Sequence, residues 1–513
     1  MTALDTLLKN DTSRNIFLKG LNGSGPAMTI ASLFTKGRGS YVCVLNDQEE
    51  AGYFYHDLMQ LTASNEVYFF PSAYRRAIKY GHVDPANEIL RTEVLSRLQD
   101  PDASFVIVTY PDALAERVVS REVLKENTLK INVGEKLDNM FVSDVLDEYG
   151  FEQVDYVYEP GQYALRGSIL DVFSFSYEFP YRIDFFGDEV ETIRTFDVET
   201  QLSKEKLDSI YIVPEMSKNA KDSTSLLGSL PRNTCIAAKD LAWCKERIGS
   251  VWNDDPVVAD EESFADIDQM RKKLVQAEDF LREVLDFRRI HFGTRPMGTA
   301  DATIHFSTQT QPIYHKNFDR VSESFHKYLD EGYTLYILSD QEKQANRIRM
   351  IFEDRGDDIP FTAVNRTIHE GFADDTLRIC FFTDHQLFDR FHKFNLKSDK
   401  ARSGKITLSL KELNQFSQGD YIVHIDHGVG QFGGLVRTEV NGKMQEAIKL
   451  IYQNNDIIFV SIHSLHKLSK YKGKESGEPP KLSKLGTGAW EKMKERTKAK
   501  VKDIARDLIL LYS

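Results

Sequence analysis

The feature that most constrains the fold is an alternation, over the first hundred residues, of short apolar runs with helix-spaced segments. The runs "NIFLKGL" (15–21), "SYVCVLN" (40–46), "EVYFF" (66–70) and "SFVIVTY" (104–110) carry little polar interruption. Strands buried on both faces read this way. Between them lie "AMTIASLFTK", "DQEEAGYFYHDLMQLTA" and "NEILRTEVLSRLQ", whose apolar residues recur every three or four positions. Strands alternating with helices predict a doubly wound parallel sheet. Such a sheet holds phosphate at the end of a strand, on the N-terminus of the next helix. At that place stands Gly20-Leu21-Asn22-Gly23-Ser24-Gly25-Pro26-Ala27, the frame of a phosphate-binding loop, G-x-x-x-x-G-K-[ST].

The frame lacks its chemistry. Pro26 stands where the lysine belongs and Ala27 where the hydroxyl belongs. Phosphoryl transfer needs that lysine on the β/γ-phosphates and that hydroxyl on Mg²⁺. Pro26 also removes a backbone donor from the cradle. No apolar strand ending in Asp-Glu offers a metal partner. Hydrolysis at this loop is not expected. A structural turn is the favoured reading, although the remaining amides could hold an anion weakly.

Beyond about residue 120 the period changes. "GQYALRGSILDVFSF" (161–175) and "PYRIDFFGDEVETIRTFDVETQLS" (180–203) alternate apolar and polar residues as antiparallel strands do, with Gly187-Asp188 placed for a tight turn. A mixed region follows from 205 to about 305, with one long amphipathic helix expected over "FADIDQMRKKLVQAEDFLREVLDF". Another strand–helix unit occupies about 315–400. Near 415, "GDYIVHIDHGVGQFGGLVRTEVNGKMQEAIKLIYQNNDIIFVSIHSLHKLSKY" holds about five short strands, with Asn441-Gly442 suited to a type I′ hairpin. This predicts a small all-β barrel. A Gly/Pro/Lys linker (472–488) leads to a last helix, where Trp490, Met493, Thr497, Val501, Ile504, Leu508 and Leu511 form one apolar stripe. The stripe is expected to pack on further domains, as in a piece of a longer protein.

A chain of 513 residues exceeds one core and implies several domains. No apolar run approaches the roughly 20 residues that span a bilayer, so no membrane role is expected. The four cysteines, Cys43, Cys235, Cys244 and Cys380, form no C-x-x-C pair. That argues for a reducing, cytoplasmic setting and against a zinc site. The net charge of −13 disfavours nonspecific DNA binding by the whole chain. Between Lys467 and Asp507, however, thirteen Lys/Arg face six Asp/Glu, which reads as a solvated basic helix face.

Two further groups of residues warrant weighing. His424, Asp426 and His427 in "HIDHG" could be imagined as metal ligands, but glycines follow at a turn and no other ligand stands nearby, so turn roles are preferred. Arg182 and Phe186 lie four apart on an expected strand and share a face. Arg166 on a neighbouring strand could complete a patch of two guanidiniums and a ring, a mix enriched at interfaces. From pattern alone, surface arginines and a core phenylalanine are the simpler reading. No catalytic constellation emerges.

Together, "KGLNGSGPAMTIASLF", "GQYALRGSILDVFSF" and "PYRIDFFGDEVETIRTFDVETQ" resemble the excision-repair helicase subunit UvrB and, more closely, the related module of bacterial transcription-repair coupling factors (the Mfd family). "GDYIVHIDHGVGQFGGL…IKLIYQNNDIIFVSIHSLHKLSKY" is similar to that family's RNA-polymerase-interacting domain, a Tudor-like barrel shared with CarD-type regulators. The resemblance implies a multidomain α/β chain: a degenerate P-loop helicase-like parallel sheet with an inserted α+β domain, a further small α/β domain, and a Tudor-like barrel followed by a long helix. It divides the chain into a UvrB-like domain 1A (1–119), an inserted UvrA-binding domain 2 (120–204), domain 1B (205–305), a small α/β domain (315–400), the polymerase-interacting domain (412–475) and a linker helix (485–513).

The resemblance further implies partners. UvrA would be contacted through Arg166, Arg182 and Phe186, which match the family's positions and turn the patch into the preferred reading. The RNA polymerase β subunit would add to a strand edge at Phe432, Leu435, Val436 and Thr438. The loop Gly20, Gly23, Gly25, Pro26 and Ala27 is then an inactive remnant. The family's damage-probing hairpin is reduced to "PSAYRRAIKYGHVDP" (71–85). No cofactor is expected in this chain; ATP and Mg²⁺ belong to the family's motor domains, which translocate on double-stranded DNA. The alternatives are an active UvrB-like helicase subunit and a CarD-like transcription regulator.

Overall fold

A computed structural model describes residues 2–497 except 10–12, 38, 63, 65, 74–84, 101, 199, 215–222, 254–270, 313, 389, 391–416, 441–442, 462–467, 472–479, 487–489, 491 and 495. Its largest sheet has seven strands, all parallel, in the order Ala302–His305, Asn15–Lys19, Arg288–His291, Cys235–Ala238, Tyr41–Val44, Val106–Thr109, Val67–Phe69. The helices Gly25–Thr35, Gln48–Thr62 and Pro85–Arg97 provide the crossovers expected of apolar runs that cannot pair in hairpins. Strands from 235–305 therefore complete a sheet begun by residues 15–109. Regions 1–119 and 205–305 share one core, from Ile16 and Val42 to Ile236 and Ile290.

The intervening residues leave that sheet and return. Leu129–Asn132 pairs antiparallel with Ser209–Ile212, closing a neck. Inside it, six strands run Ser203–Leu207, Glu189–Phe196, Tyr181–Phe186, Ile169–Val172, Gln162–Arg166, Glu152–Gln153. The helix Asn139–Glu148, capped by the Asp138 carboxylate on the Met140 N–H, covers one face through Val142 and Leu146. The opposite face carries Ala164, Phe173 and Phe196, which pack with Ile89 of the first unit.

A five-stranded mixed sheet follows, in the order Thr308–Thr310, Phe372–Asp374, Ile379–Thr383, Thr334–Leu338, Thr362–Val364. The last sheet is antiparallel, in the order Ile457–Ser461, Lys443–Ile451, Gly428–Val440, Tyr421–His424, Leu468–Lys470. Val440 pairs with Lys443; Asn441 and Gly442, expected to form the turn, lie outside the described residues, as do 74–84 of the stretch expected to replace the damage-probing hairpin.

Two expectations are corrected. The pattern over 264–287 is not one helix: Leu274 forms a bridge with Glu116, and the helix begins afresh at Ala277 and runs to Leu285. Leu274 and Val275 are needed in the core of the large sheet, which fixes them in extended chain. The linker 472–488 is not wholly free of the last sheet either. The Ser483 N–H donates to Val429 O at 2.8 Å, and its hydroxyl accepts the Val429 N–H at 2.9 Å. Trp490 Nε1 donates to Ile425 O at 2.9 Å, so the first residue of the expected apolar stripe docks on this chain. The described residues from 490 to 497 are helical, and Val501, Ile504, Leu508 and Leu511 lie outside the described residues.

A buried ion pair ties the edge of the large sheet to the turn at 116. Arg91 Nη1 lies 3.0 Å from Glu116 Oε2, with both side chains almost fully buried. Glu116 also accepts the Ser72 hydroxyl and the Ala73 N–H, and Glu88 stands 3.9 Å from Arg91. Glu116→Ala should leave the guanidinium without its main counter-charge and cost about 3 kcal/mol. Equilibrium urea unfolding of the two proteins checks this.

Candidate functional site

The glycine loop links the strand Asn15–Lys19 to the helix Gly25–Thr35, and several of its backbone groups are bonded within its own chain. Gly20 has φ +89°, and a Cβ there would meet Phe306 O at 2.3 Å; Gly23 has φ +53°, and a Cβ there would meet Glu370 O and Gly371 O, both at 2.9 Å. Both positions thus need glycine for close backbone packing. The Asn22 N–H donates to Thr308 Oγ1 at 2.8 Å, Ser24 N–H to Glu370 O at 2.9 Å, and Gly25 N–H to Asn22 O at 3.0 Å. These amides would otherwise face a phosphate. The adjoining cleft, about 800 Å³, is lined by Asp47, Glu49, Glu50, Asp57 and Glu370 against Lys19 and Lys239. Its charge opposes a polyphosphate.

The segment 369–371 is clasped to the loop. Ser24 Oγ donates to Asp57 Oδ2 and accepts the Glu370 N–H, while Asp57 Oδ1 accepts the His369 N–H at 2.7 Å. The His369 ring stacks on Tyr53 at 3.6 Å. Burial pushes the Asp57 carboxyl up to about 7, against the pull of the Ser24 hydroxyl and the His369 N–H. Sequence reading missed Asp57, because a lone carboxylate on an apolar helix face carries no pattern.

The second candidate lies on the six-stranded sheet. Arg182 sits on Tyr181–Phe186 and Arg166 at the end of Gln162–Arg166, but these strands are not neighbours, as the sequence reading had supposed: Ile169–Val172 runs between them. That strand supplies Asp171, fully buried, which joins the two arginines. Arg182 donates from Nε to Oδ1 at 2.7 Å and from Nη2 to Oδ2 at 2.8 Å; Arg166 Nη2 reaches the same Oδ2. Each guanidinium also lies over a ring, Arg182 over Phe196 at 4.3 Å and Arg166 over Tyr156 at 5.0 Å. Arg182 is 15 % exposed and Arg166 34 %. Asp171 is the Asp of "RGSILDVF", so its signal was in the sequence without a role attached.

Phe186 is different. A register shift between Asp184 and Phe185 precedes it, and it is 80 % exposed rather than a core residue. The patch is therefore two charge-paired arginines held flat by Asp171 and one ring standing free.

The third candidate is the strand Gly428–Val440. Its first residues, Gly428–Gln431, pair with Tyr421–His424, whereas Leu435–Val440 pair only with Lys443–Ile451 among the described strands. Leu435 is exposed and Val436 half-buried. Phe432 corrects the expected contact set: it is buried in this sheet's core with Ile448 and Leu450 and presents no surface. The Thr438 side chain lies outside the described residues. His424 corrects the expected turn role: it ends the strand Tyr421–His424 and is buried, its Nδ1 accepts the Asp426 N–H of the following turn at 3.0 Å, and its ring lies 4.5 Å from that of His427.

Asp57 gives the clasp a pH signature. Its folded carboxyl keeps a proton to higher pH than the unfolded one, whose ordinary value is 3.8. The stabilisation it gives is thus full below about pH 4 and lost as the pH rises through about 7. Asn at this position retains an acceptor for the His369 N–H and cannot ionise. Burial holds His369 low, at about 4, an effect of opposite sign that wild type and variant share. The melting temperature of Asp57→Asn relative to wild type should therefore rise between pH 5 and pH 8. A pH-independent difference in scanning calorimetry would contradict this.

Two stretches of the chain match known domain families. A family model described as the UvrB interaction domain matches residues 129–217, the inserted unit. A model described as the CarD-like/TRCF RID domain matches residues 416–472, the last sheet. A transcription-repair-coupling factor from Staphylococcus aureus (strain bovine RF122 / ET3-1) is 25 % identical over 599 aligned positions, covering 100 % of this chain and 50 % of the relative. One from Bacillus subtilis (strain 168) is 24 % identical, covering 97 % of this chain and 48 % of the relative. The chain spans about half the length of the curated relatives it matches. It is thus similar, along its whole length, to the transcription-repair-coupling factors, with a UvrB interaction domain and a CarD-like/TRCF RID domain on one chain.

Proposed function

We propose that this chain acts as the N-terminal, partner-binding half of a transcription-repair coupling factor, engaging stalled RNA polymerase with one unit and recruiting UvrA with another. The observation that carries the reading is the presence of both domain matches, at 129–217 and 416–472, on a single chain. A CarD-type regulator would need only the second.

UvrA is received on the face built by Arg166, Arg182 and Phe186. Asp171 neutralises and orients the guanidiniums, and Phe186 supplies the apolar anchor. The polymerase β subunit adds a strand beside Leu435–Val440, where main-chain groups lack a second strand partner among the described residues. Leu435 and Val436 flank that edge. The glycine loop holds no nucleotide, because its amides serve Thr308 and Glu370 and its cleft is acidic. The ATP-driven step, with its Mg²⁺ and double-stranded DNA track, is assigned to the part of such factors beyond the span shared with this chain. This weighs against an active UvrB-like helicase subunit.

Two outcomes are expected. Phe186→Ala should weaken UvrA capture by about 1–3 kcal/mol, the range of an interface anchor, with unchanged melting, since the ring is free of the core. Undiminished binding in titration calorimetry would refute the assignment. Pro26→Lys combined with Ala27→Thr should produce no ATP turnover, because the Asn22 and Ser24 amides stay bonded to Thr308 and Glu370 and the cleft beside them is acidic. Phosphate release above background would overturn the reading of the loop.

A further inference from the structure

We infer that the UvrA-receiving surface extends around the end of the six-stranded sheet onto the first turn of the helix Asn139–Glu148, with Met140 and Phe141 as additional anchors; this rests on the reading of the unit as the UvrA site. Three chain segments converge at that end. The Leu137 N–H donates to Asp188 O at 2.7 Å, and Lys136 bridges Glu189, so the approach to the helix runs beside the 187–188 turn. Asn139 Nδ2 donates to Gly167 O at 3.3 Å, which ties the helix start to the 167–168 turn. The Phe185 N–H donates to Ser168 O at 2.9 Å, joining the two turns. Phe186 stands at that junction, paired with Glu189.

The helix does not need these two side chains for its own packing. Its buried stripe is Val142, Ser143 and Leu146. Met140 is 58 % exposed and Phe141 52 %, against 80 % for Phe186. Two consecutive large apolar residues left in water, beside a third on a bonded neighbouring turn, are what interfaces enrich: aromatic rings and methionine, rimmed by polar groups. The rim is present, with Asp138, Asp144, Asp188 and Glu189 all exposed. Gly167 and Gly187, at φ +63° and +62°, leave open space where a Cβ would stand. The occupant is UvrA because Met140 and Phe141 stand on a segment hydrogen-bonded to the turns beside Phe186 and fall within the matched UvrB interaction domain.

The test is UvrA binding by the full chain carrying Met140→Ser with Phe141→Ser, beside Phe186→Ser, each checked for unchanged melting. A single Met140→Glu variant, at the more exposed of the two positions, serves if the double variant melts early. The helix variants should lose UvrA affinity by about tenfold or more. Wild-type affinity in the helix variants with loss in Phe186→Ser would confine the surface to Phe186 and overturn the extension alone. Wild-type affinity in all of them would refute the UvrA reading itself. A change in the chain's own sedimentation, with UvrA binding intact, would make a second copy the occupant and likewise overturn the proposal.

Discussion

The position of one strand, Asn15–Lys19, organises the molecule. It is flanked not by its sequence neighbours but by Arg288–His291 and Ala302–His305. Polar contacts lock it there: the Asp301 carboxylate accepts the Arg14 and Asn15 N–H groups, each at 2.8 Å, and the Asn15 amide reaches Thr299 O and the buried His291 ring. Because the chain must return to close this sheet, everything between Leu129 and Ile212 is an excursion with its own core. The glycine loop after Lys19 is likewise held against the segment that follows the sheet, at Phe306, Thr308 and Glu370.

That arrangement gives the amides of a phosphate-loop frame partners within the chain. In a working loop, backbone amides at a helix N-terminus wait for an anion. Here protein oxygens take their place: a hydroxyl at Asn22 and a carbonyl at Ser24. The glycines are kept because a side chain at either would collide with backbone. The loop has become a joint, and the carboxylates around it suit a contact between two protein surfaces better than a polyanion.

The inserted unit shows a different economy. Asp171, buried on the middle strand, lets two arginines lie close together on one face without mutual repulsion. The charge is spent inside the sheet, and the free surface at its end is apolar, with Phe186 and the helix start beside it. Much of this was legible beforehand. Period-two alternation placed the strands and put Arg182 and Phe186 on one face. It could not say that Ile169–Val172 separates Arg166 from Arg182, since strand order is a long-range property. Nor could it tell an exposed Phe186 from a core one, since burial depends on which distant segments cover that face of the strand.

The sequence by itself determined the kinds of element and the absence of the P-loop lysine and hydroxyl, because period, glycine placement and a missing lysine are local facts. The same local resemblance marked the two stretches that match the UvrB interaction and CarD-like/TRCF RID domains. Only the tertiary structure decided that residues 15–109 and 235–305 share one sheet, that Phe432 is core, that Leu274 breaks the expected helix, and that Asp57 and Asp171 are buried carboxyl groups, one clasping the glycine loop and one joining Arg166 and Arg182. Each of those depends on which distant segments touch, and burial is a property of the contact, not of the residue.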